Sequence, residues 1–187
     1  MTIIEMLEQA KDKYALNCAL TYVNFNIESK VTYKGFWDDI GKRECVFWQK
    51  GIVKSFVALW GNNSYEWIVT CCAAWKTGCN VFVIDSTWPM DRVDRLLKNI
   101  QCKWVFTDKD YLGEYQEYHM INLGDQSYNN AINVLMDKTE ISEDDAAVTI
   151  FTSGTLSSAK KIVLIYQRCG LYQLPGVPGG GDGRLIL

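Results

Sequence analysis

The run Ala146-Ala147-Val148-Thr149-Ile150-Phe151 opens into Thr152-Ser153-Gly154-Thr155-Leu156-Ser157-Ser158-Ala159-Lys160, and Lys161-Ile162-Val163-Leu164 follows at once. Two short apolar runs around a polar stretch predict strand, loop, strand. The loop carries several hydroxyls, one permissive glycine and a terminal ammonium group. Backbone N–H groups and hydroxyls donate to phosphate oxygens, and Lys160 adds a point charge, so the loop is suited to a polyphosphate. The same residues also describe a tight polar hairpin with a surface lysine. A Walker-type loop does not fit. Ala159 stands where that motif needs glycine, Lys161 stands where Ser or Thr would meet Mg²⁺, and a strand rather than a helix follows.

Outward from this loop the chain alternates strands and helices. Thr2-Ile3-Ile4-Glu5 is a capping-box pattern that starts a short helix. Tyr33, Phe36, Trp37, Ile40, Phe47 and Trp48 lie at helical spacing, and Gly51 is placed to end that helix. Ser55 to Trp60 reads as a buried strand. Asn63 with Glu66 signals a helix start, Trp67, Ile68, Cys71, Cys72 and Trp75 share an apolar face, and Gly78 closes the helix. Val81 to Ile84 is strand. Pro89 opens a helix with Val93, Leu96, Leu97 and Ile100 on one side. Lys103 to Thr107 is strand, and the more polar region after it holds one short strand and one helix. The acidic run Ser142-Glu143-Asp144-Asp145 reads as a solvated turn. This alternation predicts an α/β layer fold with a mainly parallel sheet.

Thr152, Ser153, Gly154, Thr155 and Lys160 match, in order and spacing, a pattern that reads roughly Thr-Ser-Gly-Thr-Thr-Gly-x-Pro-Lys-Gly-Val. This segment resembles the phosphate-binding motif of the acyl-adenylate-forming (AMP-binding) enzymes: acyl-CoA synthetases, carrier-protein ligases and peptide-synthetase adenylation domains. Leu156 replaces a hydroxyl of the pattern, Ser157 a glycine, Ala159 a proline and Lys161 a glycine. Thr32-Tyr33 before Phe36-Trp37 is similar to the family's T-Y-x-E-L entry into its first long helix. Val57-Ala58-Leu59 with Asn62 to Trp67 resembles V-A-I-x-x-x-N-S-x-E-W. Lys76 to Cys79, Asp85 to Pro89 and Trp104 to Asp108 resemble the segments that follow. Together they cover about residues 20 to 165 in family order.

The resemblance implies the N-terminal portion of the adenylate-forming fold over residues 1–165. It implies an ATP-dependent ligase that activates a carboxylate as an acyl-adenylate and passes it to the thiol of CoA or a carrier protein. ATP and Mg²⁺ are the implied cofactors, with Thr152, Ser153, Gly154, Thr155 and Lys160 on the ATP phosphates. It places the adenine and acyl pockets, the metal-binding acidic residue and a catalytic lysine downstream, so no catalytic residue is assigned here and the chain alone is expected to be inactive. The other reading kept open is a non-catalytic α/β module that binds a nucleotide or a partner.

Composition bounds these readings. The 187 residues fit one domain or a large part of one. A hydrophobic content of 48% with 22% charged residues can build a core. A net charge of -3 argues against general nucleic-acid binding. No apolar run approaches the roughly 20 residues of a membrane span, and the amino terminus has no signal-peptide pattern. Seven cysteines without C-x-x-C spacing read as free thiols in a reducing cytoplasm. The single histidine, His119, lies in a strand-like run, so zinc and a Ser-His-Asp hydrolase are not expected. Gly170 to Leu187 holds six of the 14 glycines and two of the three prolines, so residues 166–187 read as a divergent, disordered tail on a truncated fragment. An uncovered sheet edge would then favour self-association.

Overall fold

In the computed structural model, residues 1–24, 26–110, 115–125, 139–151 and 161–165 are described. The amino-terminal helix α1 (Ile3–Tyr14) starts on the expected capping box: the Glu5 amide donates to Thr2 Oγ1 at 3.3 Å and the Thr2 amide donates to Glu5 Oε2 at 2.8 Å. A two-stranded antiparallel hairpin follows, β1 (Cys18–Asn24) and β2 (Ile27–Thr32). It leads directly into α2 (Tyr33–Gln49), where Thr32 caps the first turn by accepting from the Gly35 amide at 3.1 Å.

Gly35 occupies the third helical position, where a glutamate would return a hydrogen bond to the cap backbone. A Cβ built there meets only Thr32 Oγ1 at 3.4 Å and Val31 Cγ1 at 3.5 Å. Gly35→Glu is therefore expected to raise stability by about 1–2 kcal/mol, from helix propensity and from an anion near the helix N-terminus. Urea denaturation of the two proteins checks this. A lower midpoint for Gly35→Glu would show that the first turn of α2 needs the glycine.

Beyond α2 the chain alternates: β3 (Phe56–Trp60), α3 (Tyr65–Lys76), β4 (Asn80–Ile84), α4 (Met90–Ile100), β5 (Trp104–Thr107), β6 (His119–Asn122), β7 (Ala146–Phe151) and β8 (Lys161–Ile165). The six strands from β3 onward form one sheet in the order β6-β5-β3-β4-β7-β8. The first five in that order are parallel, and β8 turns back antiparallel to β7. The expected mainly parallel α/β sheet is what the chain builds.

Side chains alternate across the sheet, as strand geometry requires. Val57, Leu59, Val81 and Phe106 join one core with α1, α2 and α3. Ala58, Trp60, Phe82, Ile84 and Val105 join the other with α4. On the first face Phe47 of α2 stacks on Phe106 of β5, with ring centroids 5.0 Å apart and planes 6° off parallel. α3 lies between the sheet and the α1–α2 pair, so every residue from Val69 to Trp75 is buried. This corrects the single apolar face read from the sequence. Trp75 Nε1 donates to the Ala147 carbonyl at 2.9 Å and ties this helix to β7.

A second correction concerns the start of α3. Its cap is Ser64, whose hydroxyl accepts from the Trp67 amide at 3.1 Å, and not Asn63. The predicted closures hold: Gly51 and Gly78 have φ of 70° and 72°, and the next amide in each case returns to the last turn. α4 ends the same way on Gln101, at φ 55°. Five of the six described cysteines are buried and Cys18 is exposed. Desolvation pushes the Cys72 and Cys102 thiols up to about 12, which fits core packing rather than reactivity. Among the described residues no group of three or more His, Cys, Asp or Glu could hold a metal, and no helix is long and apolar enough to cross a membrane. The helix expected between β6 and β7, and the tail of residues 166–187, lie outside the described residues.

Candidate functional site

Every parallel strand ends at the same rim of the sheet, and the polar residues that follow them collect there. After β3 come Gly61, Asn62 and Asn63, after β4 Asp85 and Ser86, and after β5 Asp108. β3 sends its chain to α3 on one face and β4 sends its chain to α4 on the other. Adjacent strands whose connections leave on opposite faces cannot close the space between their ends, which is the usual place for a ligand in an open α/β sheet. A crevice of about 330 Å³ lies there, between Gly61–Asn63 on one side and Val83–Ser86 on the other, with Trp67 on its wall.

The rim is held by hydrogen bonds that cross the sheet. Asp108 Oδ2 accepts from the Asn62 amide at 2.9 Å and from Asn62 Nδ2 at 2.8 Å. A Cβ on Gly61 would come within 2.9 Å of Leu123 Cδ1 and 3.1 Å of Asp108 Cγ, so a larger residue here would have to displace both side chains. Asp85 Oδ1 accepts from the Thr87 amide at 2.8 Å and from Thr87 Oγ1 at 2.7 Å. Those bonds, and secondarily the Arg92 charge, hold the Asp85 carboxyl below its ordinary range. The Arg92 guanidinium itself stacks 3.6 Å over the Trp88 ring.

The predicted phosphate loop begins and ends on this rim. β7 pairs with β4 through Val81 with Val148 and Phe82 with Thr149, and the Thr149 hydroxyl donates to Asn80 Oδ1 at 3.1 Å. Phe151, the last residue of β7, sets its ring edge-on to Phe82 at 5.3 Å. Phe151 is also the partner of Lys161, the first residue of β8. The two strands expected on either side of the stretch are therefore present and paired, with Phe151 opposite Lys161. The five assigned residues, Thr152, Ser153, Gly154, Thr155 and Lys160, lie outside the described residues.

Sequence reading assigned no role to Asn62, Asp85 or Asp108. The available signal was a polar residue directly after each apolar strand run. His119, set aside as structural, sits in β6 with its ring 4.3 Å from that of Trp104. The acidic turn holds itself through the Ser142 amide, which donates to Asp145 Oδ2 at 2.9 Å. Its Glu143 also pairs with the amino terminus.

The profile of the AMP-binding enzyme family matches residues 6–169. The chain belongs to this family. It is 27% identical over 113 residues to the D-alanine--D-alanyl carrier protein ligase of Staphylococcus aureus, a match that covers 60% of the chain and 23% of the ligase. Less than a quarter of that relative is thus represented in the match. Among solved structures, the N-terminal subdomain of NpsA from Klebsiella oxytoca aligns over 91% of the chain and 45% of its own length, with a TM-score of 0.77 and 18% identity. The fatty acyl-adenylate ligase from L. pneumophila, solved with acyl adenylate and pyrophosphate, aligns over 88% of the chain and 30% of its own length, with a TM-score of 0.76 and 16% identity. At these identities the two structures establish the fold, that of the N-terminal subdomain of an AMP-binding enzyme.

Proposed function

We propose that this chain is the phosphate-holding part of an ATP-dependent, carboxylate-activating ligase. The observation that supports the reading is the pairing of β7 with β4 and with β8, which sets Phe151 and Lys161, the neighbours of the Thr152–Lys160 stretch, side by side at the rim where the parallel strands end. In such a reaction a carboxylate oxygen attacks the α-phosphorus of ATP, the bond to the bridging oxygen breaks, and pyrophosphate leaves with that electron pair. An acyl-adenylate remains for transfer to a thiol. Activation of this kind needs the phosphates positioned and their charge offset. In this reading Thr152, Ser153 and Thr155 donate to the β- and γ-phosphates, Gly154 lets the backbone come close, and Lys160 offsets charge.

Mg²⁺, when bound, would neutralise phosphate charge. The described residues do not fit a protein-held ion, since no cluster of three metal-binding side chains occurs among them, so no step is assigned to it. The acceptor thiol is that of CoA or a carrier protein. The S. aureus relative is named for a carrier protein, which supports the second. The family resemblance assigns the acyl and adenine pockets to segments downstream of the Thr152–Lys160 stretch.

Titration of the isotope-labelled chain with pyrophosphate, followed by NMR, tests the loop. Saturable shifts centred on Thr152–Thr155 and Lys160 are expected, and their absence would overturn the assignment. The chain alone is expected to catalyse no carboxylate-dependent exchange of pyrophosphate into ATP. Robust exchange in protein free of other ligases would show that the pockets lie within these residues after all.

A further inference from the structure

We propose that the crevice between the ends of β3 and β4 binds a small organic amine. Its ammonium group would sit against the Asp85 carboxylate, and its hydrocarbon part against Trp67 and Val83. The inference rests on the described rim alone and is independent of the phosphate-loop reading.

Three observations converge on this crevice. It lies at the switch point of the sheet, where α3 and α4 depart to opposite faces and the strand ends leave an opening that packing does not fill. Its volume of about 330 Å³ stands at the lower end of the range for ligand sites, which runs from roughly 300 to 1,000 Å³, and so suits a molecule of one ring or a short chain. Its walls combine an aromatic ring, a carboxylate and the polar side chains of Asn63 and Ser86, and among the described residues no lysine or arginine lines it. An anion would meet the Asp85 carboxylate, while the nearest described cation that acts on Asp85, Arg92, is turned onto Trp88 and is not among the lining residues. A primary ammonium is attracted by both the carboxylate and the face of an indole, and it has three donors for neighbouring oxygens.

The carboxylate is prepared for this role. Both hydrogen bonds from Thr87 end on Oδ1, so Oδ2 is not used by that turn. Asp85 is ionised at neutral pH, for the reasons given above. Arg92 stands nearby but is stacked on Trp88 and does not line the crevice. The opposite wall is fixed by the Asn62–Asp108 bonds, which hold Gly61 to Asn63 in place before any ligand arrives.

The test uses the full chain and three probes of similar shape: benzylammonium, benzyl alcohol and benzoate. Binding is followed by NMR at the Trp67 indole and at the Gly61, Asn63 and Ser86 amides. Benzylammonium is expected to give saturable shifts there, benzyl alcohol to bind at least ten-fold more weakly, and benzoate to give none. Asp85→Asn is expected to weaken benzylammonium at least ten-fold, while Asp91→Asn, on the exposed first turn of α4, leaves it unchanged. Equal binding of amine and alcohol, shifts centred elsewhere, or an unaffected Asp85→Asn would each overturn the proposal. If Asp85→Asn does not fold, the comparison of the three probes on the unaltered chain decides alone. Pyrophosphate titration of Asp85→Asn should match the unaltered chain, so failure here and failure of the phosphate loop remain distinguishable.

Discussion

Phe106→Ala is expected to lower the unfolding free energy by about 3–5 kcal/mol, the usual cost of emptying a buried aromatic site. Phe106 lies in β5 with no exposed surface and stacks on Phe47, which is equally buried, at 5.0 Å. The pair joins α2 to the sheet, so the loss is not confined to one strand. Removing the ring takes away its transfer energy and leaves a cavity between two rigid layers that cannot collapse fully. A domain of this size has only about 5–15 kcal/mol to lose. Urea denaturation with two optical probes measures the change. The pairwise part is isolated by adding Phe47→Ala and the double variant. A coupling of about 0.5–1.5 kcal/mol is expected for the stacked rings. A loss under about 1 kcal/mol for Phe106→Ala would mean that α2 does not bear on β5 as described.

Lys160→Ala is expected to weaken pyrophosphate or ATP binding by about 1.5–3 kcal/mol, the range for a hydrogen bond to a charged group, or roughly 10- to 150-fold. Lys161→Ala is expected to matter less. Lys161 is the first residue of β8 and pairs with Phe151, so it belongs to the ladder at the loop's base. Screening reduces a distant lysine's contribution at ordinary salt, whereas a direct contact retains more of its effect. Leu156→Thr restores a hydroxyl at the one phosphate-donor position where the sequence departs from the family pattern, and it should hold or improve affinity. Calorimetry with the four proteins separates these outcomes. Equal losses for Lys160→Ala and Lys161→Ala would reduce the loop to a basic turn. Affinity is expected to be weak in every case, because an ordering cost falls on the loop without adenine or ribose contacts to offset it.

Much of the fold was legible in the residues because its determinants are local. The Thr2–Glu5 box, the closures at Gly51 and Gly78 and the apolar face of α4 are set by neighbours within one or two turns. The start of α3 shows the limit of such reading. Asn63 and Ser64 are both good caps, and the choice between them depends on where the chain leaves β3. The strands on either side of Thr152–Lys160 were legible because each is a short, contiguous apolar run. Of the candidate site, the sequence offered this loop. It did not offer the crevice, since Asn62, Asp85 and Asp108 belong to three separate segments.

The sequence by itself determined the alternation of strands and helices from β3 onward and most of the helix ends, because backbone preferences and side-chain periodicity act over short separations, and its motifs pointed to the family. Only the tertiary structure decided the strand order that puts β3 between β4 and β5, and with it the opening at the rim. It also decided that the Val69–Trp75 stretch of α3 is buried on every side and that the Arg43 guanidinium is sealed in the core, donating to the Leu123 carbonyl 80 residues away at 2.9 Å. A buried charge survives only where distant groups satisfy it, and strand order follows from which apolar faces can be covered together. Both depend on contacts between segments that no local window contains.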